Sequence, residues 1–370
     1  MSNWRSVLAR TTANVEDRFD QLKAQLSQRL GLGEPLMIQA YYGYGTPHAV
    51  TIKGRVLENE GIREAGDHDS IWQNMLNTYR RIESDEVPGA QVQGTLYGRI
   101  ATAVTDEEGY FDLHFTFAEP LTRNTPWHTV ELTLLDAPRT LDKPVTAVGQ
   151  ILVPPKTAVF GVISDIDDTI LQSQATSYLQ AARLLFLKNA RTRLPFAGVA
   201  AFYRALQHGI SNQNNPIFYV SSSPWNVYTL LTDFFEYQKI PQGPLFLKDY
   251  GITSDQLFTS GHRKHKLEQI ETILKTYPKL PFILIGDSGQ KDPEIYAEIA
   301  ETYPKRIKAI YIRDVTGDKR DREVEKIAVS LESLGIEMII STDSLTAGAY
   351  AVGQNLISPE ALTPIKDNQL

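Results

Sequence analysis

Two aspartates two positions apart, Asp165 and Asp167, open the string DIDDT (165–169), just after the apolar run AVFGVI (158–163). A carboxylate can accept a phosphoryl group, forming an aspartyl-phosphate that water then hydrolyses. A second carboxyl group can protonate the leaving oxygen and later activate that water. Thr169 adds a hydroxyl able to contact the phosphate. Carboxylates facing a phosphate repel it, so this chemistry requires a cation. Oxygen ligands together with phosphate favour Mg²⁺, which keeps several waters and uses few protein carboxylates.

Three further segments complete the candidate set. Ser221 closes the run PIFYV (216–220), and its hydroxyl can donate to a phosphoryl oxygen. Ser223 precedes Pro224 and reads instead as the N-cap of a helix with proline at its first position. In the basic run HRKHK (262–266), a lysine can neutralise charge developing on the transferred group; Lys266 is the choice and Lys264 the reserve. Taken alone, either lysine reads as a solvated charge, and His262 and His265 read as surface residues. In GDSGQKD (286–292), Asp287 can complete a metal shell. Asp292 binds metal, directly or through water, or orients Lys266; Asp292-Pro293 also reads as a helix N-cap followed by proline.

The elements that must position these residues follow from the apolar pattern. AVFGVI, PIFYV, FILI (282–285), IKAIYI (307–312) and IEMII (336–340) alternate with helical stretches, and PLFL (244–247) is a candidate sixth strand. Continuous apolar strands between helices indicate a parallel sheet covered on both faces. The main runs lead into SDIDDT, SSS, GDS, RD and STDS, at the carboxyl ends where such sheets bind ligands. Before them, residues 36–153 carry short β-rich stretches such as AVTIKGRVLE, YFDLHFTF and HTVELTLLD, with turn signals such as DEEG (106–109), which suggest an antiparallel sandwich interrupted by an insertion at 61–90. Val15, Phe19, Leu22, Leu26 and Leu30 recur at helical spacing, and GLGEP (31–35) ends that helix. The expected organisation is an N-terminal amphipathic helix at 1–33, a β-rich domain at 34–153, a catalytic domain at 154–350, and a C-terminal helix and tail at 351–370.

Composition narrows the class. A chain of 370 residues, 42% hydrophobic and 22% charged, with a net charge of -7, has room for two domains and argues against general nucleic-acid binding. With no cysteine, thiolate catalysis, disulfides and cysteine-held zinc are excluded. MSNWRSVLAR is too polar for a secretory signal, and no run reaches the ~18 apolar residues of a membrane span. A cytoplasmic protein is expected, with peripheral attachment to a membrane as the alternative.

Together these strings resemble the haloacid-dehalogenase superfamily, with DIDDT, Ser221, Lys266 and GDSGQKD in the places of its four motifs. Longer strings, FGVISDIDDTI, FYVSSSPWNVY, FILIGDSGQKDPEIY and AIYIRDV, are similar to the catalytic domain of the actin-patch-associated phosphatidate phosphatase family, over roughly residues 155–345. The resemblance implies an α/β Rossmannoid fold with helices on both faces and Mg²⁺-dependent conversion of phosphatidate to diacylglycerol. It makes Asp165 the nucleophile and Asp167 the general acid and base. Mg²⁺ would be held by Asp165, the Asp167 carbonyl and Asp287, and the phosphoryl group by Ser221 and Lys266. The implied partner is a phosphorylated substrate, a lipid at a membrane surface.

The stretches from Thr169 to Ser221 and from Ser221 to Lys266 are too short for a large folded cap, which suits a bulky substrate. The segment SYLQAARLLFLKNARTRLPF (177–196) mixes apolar and basic residues; it reads as a crossover helix or as a membrane-surface element. The alternatives to a lipid phosphatase are a phosphatase for a soluble or protein phosphomonoester, and an inert binding module whose sandwich is the working part.

Overall fold

The computed structural model describes residues 35–58, 86–121, 125–139, 141, 143–171, 196–248 and 259–368. The amphipathic helix expected at 1–33, most of the insertion at 61–90, and the segment 177–196 apart from Phe196 lie outside the described residues.

The first half builds one sheet from β1 (Leu36–Ala40), β2 (Gly43–Gly45), β3 (Ala49–Glu58), β4 (Gln91–Leu96), β5 (Arg99–Val104), β6 (Tyr110–Thr116), β7 (Trp127–Asp136) and β8 (Thr146–Leu152). Alternation drives it: in β6 and β7 every second residue is buried, the period that puts one face of a strand on a core. β1 and β2 lie along one side of β3 and β6 along the other. The order then runs β2, β8, β7, β4, β5. The sheet curls until Leu113 and Phe115 of β6 press on Gly94 of β4. Ile52, Val56, Val92, Leu96, Phe111, Val130, Leu132 and Ile151 fill the enclosed core. The sequence suggests two stacked antiparallel sheets. The structure has one continuous curled sheet among the described residues, in which β2 and β8 run parallel.

The second half is a six-stranded, all-parallel sheet in the order β11 (Leu245–Lys248), β10 (Ile217–Pro224), β9 (Gly161–Ser164), β12 (Phe282–Asp287), β13 (Ile307–Arg313), β14 (Glu337–Ser341). PLFL thus becomes an edge strand. Successive residues face opposite layers. Val162, Tyr219, Ile283, Ile285 and Tyr311 pack with α1 (Val199–His208) and α2 (Tyr228–Tyr237). Ile163, Phe218, Leu284, Ile310 and Met338 pack with α3 (Thr259–Thr276), α4 (Asp292–Thr302) and α5 (Asp318–Glu332). Burial on both faces explains why these strands read as unbroken apolar runs. α6 (Ser344–Gly353) and α7 (Leu362–Asp367) close the first layer, with Ala351 and Ile365 fully buried there, so residues 351–368 share the core of this unit.

From β9 the chain winds outward to β10 and β11, then returns to β12 and winds the other way. That reversal opens a crevice beyond the carboxyl ends of β9 and β12. The two units are joined beside it. Tyr41 stacks on Trp225, with ring centroids 4.6 Å apart, and the Tyr42 amide donates to the Tyr228 hydroxyl at 2.7 Å. Arg55 Nη1 donates to Asn226 Oδ1 at 3.3 Å.

Candidate active site

Asp165 stands one residue past β9, its amide bonded to the Ile285 carbonyl of β12 at 2.9 Å. Ile170 and Leu171 both donate back to the Ile166 carbonyl, and Asp168 takes a φ of 58°. This left-handed residue closes the chain into a tight turn, a conformation aspartate tolerates better than most side chains. The turn brings Asp167 and Thr169 back over the strand end. Thr169 Oγ1 donates to Asp165 Oδ2 at 3.4 Å.

Lys266 arrives from α3, where it shares a face with Ile270, Ile273 and Leu274 of the core. Its side chain is 4% exposed, and its ammonium lies 2.8 Å from Asp165 Oδ1 and 2.6 Å from Asp292 Oδ1. Lys264 points outward, 78% exposed and beside Glu268. Asp287 ends β12, fully buried, and its Oδ1 accepts the Gln290 amide at 2.8 Å.

Two capping assignments are corrected. Ser223 does not cap a helix: β10 runs on through Pro224, and Ser223 Oγ donates to Asp167 Oδ2 at 3.2 Å, beside the 2.9 Å bond from Ser221 Oγ. Alternate strand residues share a face, so Ser221 and Ser223 reach the same carboxylate. Asp292 is the first residue of α4, whose N-cap is Lys291. Its carboxylate turns inward to Lys266 and to the Asp287 amide at 3.2 Å.

The strand ends do not all serve the crevice directly. Asp343 of STDS caps α6, accepting from the Leu345 and Thr346 amides. Asp314 braces the loop after β12 by accepting from Ser288 Oγ at 3.1 Å.

Some residues in contact with this constellation carried no signal in the sequence. Gln290 Nε2 lies 3.0 Å from the Asp167 carbonyl and 3.4 Å from Asp165 Oδ2. Arg313 Nε donates to the Thr169 carbonyl at 3.2 Å, with its guanidinium over the Phe196 ring. Ser164 Oγ donates to the Asp165 carbonyl and accepts from the Tyr203 hydroxyl, each at 2.6 Å.

Electrostatically the site is short of positive charge. Burial pushes the Asp165 carboxyl well above the usual carboxylate range, and Asp292, Asp287 and Asp167 add to the rise against Lys266. Asp287 is pushed up to about 8, by burial and then by Asp292. Burial also raises Asp167, against the hydrogen bonds from Ser221 and Ser223. Burial opposes the Lys266 charge, but Asp165 and Asp292 more than offset it and hold the amine above its ordinary value.

Oxygens of Asp165, Asp287 and Asp292 come within 4.8 Å of one another. Both Asp292 oxygens are engaged, by Lys266 and by the Asp287 amide. Asp287 Oδ2 is buried and accepts no hydrogen bond among the described residues; Asp165 Oδ1 meets the Lys266 ammonium outside hydrogen-bonding angles. Hard oxygen donors, buried and undercompensated, fit a small divalent cation.

Residues 160–314 match the family model described as phosphatidate phosphatase APP1, catalytic domain. Over this segment the chain is similar to the APP1-like family. The APP1-like segment holds the whole constellation from Asp165 to Asp292. Phosphatidate phosphatase APP1 of Saccharomyces cerevisiae is 36% identical over 162 residues, which is 44% of this chain and 27% of that protein. An uncharacterized protein of Schizosaccharomyces pombe is 30% identical over 220 residues, 58% of this chain and 34% of its own. The chain thus spans about a third or less of the length of these relatives. Among solved structures, a bacterial immunoglobulin-like domain from the M. primoryensis ice-binding adhesin aligns with 33% of this chain and 95% of its own, at 13% identity and a TM-score of 0.17.

Proposed function

We propose that this chain is a Mg²⁺-dependent phosphatase that hydrolyses phosphatidate to diacylglycerol and inorganic phosphate. The observation that carries the proposal is the convergence of Asp165, Asp167, Lys266 and Asp287 in the crevice between β9 and β12, within a segment of APP1-like sequence.

An Asp165 carboxylate oxygen attacks phosphorus, and the bond from phosphorus to the glycerol oxygen breaks. The departing oxygen takes its proton from Asp167, whose burial favours the protonated form that a general acid needs. Asp167, now ionised, then accepts a proton from water as that water attacks the aspartyl-phosphate. Phosphate leaves, and both carboxyls return to their starting states. Ser221 and Ser223 orient Asp167 through the hydrogen bonds they donate to it, and the Lys266 ammonium, steadied by Asp292, faces the transferred group.

Asp165, the Asp167 carbonyl and Asp287 would hold the cation, with Asp292 kept for Lys266. When bound, Mg²⁺ would supply positive charge to screen the phosphate from the carboxylates. No helix among the described residues is long and apolar enough to cross a membrane. The proposed enzyme is peripheral and cytoplasmic, meeting its substrate at a bilayer surface.

The test is phosphate release from phosphatidate in mixed micelles, beside a water-soluble aryl phosphate, with and without Mg²⁺. Asp165→Asn is expected to lower release at least a thousandfold while keeping the circular dichroism spectrum. Substantial residual turnover removes Asp165 as nucleophile. Faster turnover of the soluble ester than of the lipid removes phosphatidate as the preferred substrate.

A further inference from the structure

Gln290 lies at the meeting point of the site, and no step of the proposed reaction employs it. Its Nε2 is 3.0 Å from the Asp167 carbonyl oxygen and 3.4 Å from Asp165 Oδ2, and its Oε1 accepts from Lys266 Nζ at 3.4 Å. Its own amide is held by Asp287 Oδ1 at 2.8 Å. One carboxamide therefore donates into two of the oxygens proposed for the cation, while its backbone is tied to the third residue of that set.

An amide N–H and a divalent cation seek the same lone pairs. The carboxamide is neutral and satisfies those oxygens without supplying positive charge, and it leaves Asp287 Oδ2 buried without a hydrogen bond among the described residues. We propose that Gln290 is a displaceable occupant of the cation site. Its Nε2 satisfies the Asp167 carbonyl and Asp165 before loading and must release both for the cation to bind. The residue thereby raises the cation concentration at which the site fills. It acts through Asp165 and Asp167, so it is a positioning residue.

This inference rests on the cation reading above, and the experiment separates the two. Mn²⁺, a spin-active substitute for Mg²⁺, is titrated into the full chain without substrate, and the free ion is measured by electron paramagnetic resonance. Gln290→Ala and the near-isosteric Gln290→Met are expected to bind Mn²⁺ about fivefold more tightly than the wild type, the worth of roughly one neutral hydrogen bond. Asp287→Asn is expected to bind at least tenfold more weakly.

Affinity that is unchanged or weaker in both Gln290 variants overturns the inference while the cation reading stands. Absence of Mn²⁺ binding by the wild type, or full binding by Asp287→Asn, overturns the cation reading and the inference with it. Thermal unfolding gives a second measure. The gain in melting temperature on adding saturating Mn²⁺ is expected to be larger for both Gln290 variants than for the wild type, and an equal or smaller gain counts against the inference.

Discussion

Asp287 is one of the residues whose protonation links this site to pH. It is fully buried, beside Asp292, and holds its proton to about pH 8, where an aspartate in an unfolded chain has released it near pH 4. The native state therefore binds more protons than the unfolded state across that window. The contribution of this group to stability is complete below pH 4 and is lost as pH rises through about 8. In the presence of a chelator, Asp287→Asn is expected to be more stable than the wild type at pH 9, by roughly 2 kcal/mol, and to lose that advantage at pH 4. Urea unfolding at the two pH values measures the difference, and an advantage independent of pH removes the assignment. Adding Mg²⁺ is expected to raise the wild-type midpoint at pH 9 and leave the variant nearly unmoved. At this scale the candidate set was legible: Asp165, Asp167 and Asp287 lie at or just past the ends of β9 and β12, and Lys266 reaches them from α3. The roles of Ser223 and Asp292 were obscured because serine or aspartate beside proline is also a capping signature, and the tertiary fold decides which use is made.

Elements act on the site through close approach. Gly286 lies in β12 where the strand passes under the first turn of α4, and a β-carbon there would lie 2.5 Å from Asp292 Oδ2 and 2.7 Å from its Cβ. Gly286→Ala is therefore expected to push Asp292 away from Lys266 and from the Asp287 amide, reducing phosphate release roughly a hundredfold, as small misplacements of catalytic groups do. Release within threefold of the wild type would mean the strand accommodates the methyl group without disturbing Asp292. The same reasoning separates the two candidate lysines. Lys266 falls on the face of α3 that carries Ile270, Ile273 and Leu274, a helical spacing present in the sequence once the helix is drawn. Lys264 falls on the opposite side, beside Glu268.

The molecule as a whole ties its two units together at the site's edge. Tyr41 comes from the β-rich unit, is buried in the core of the α/β unit, and stacks on Trp225, two residues after Ser223. The curled sheet thus braces the strand end that presents Ser221 and Ser223 to Asp167. Tyr41→Ala is expected to destabilise the chain by about 3 to 5 kcal/mol, the range for truncating a large buried aromatic residue. It should also lower kcat more than KM, because the strand end it braces orients Asp167, the proposed proton donor. A loss under 1 kcal/mol in urea unfolding, or a change confined to KM, would show that the joint is incidental to the site.

From its sequence alone this chain determines the parallel sheet and the candidate side chains at its carboxyl ends, because a strand buried on both faces is contiguous along the chain and its polar terminus follows directly. The curl of the first sheet, the stacking of Tyr41 on Trp225, the hold of Arg313 on the Thr169 carbonyl and the reach of Gln290 to Asp167 were decided only in three dimensions. Each joins residues more than a hundred positions apart or sets a side-chain direction, and nothing in local periodicity encodes which distant partner a side chain will meet.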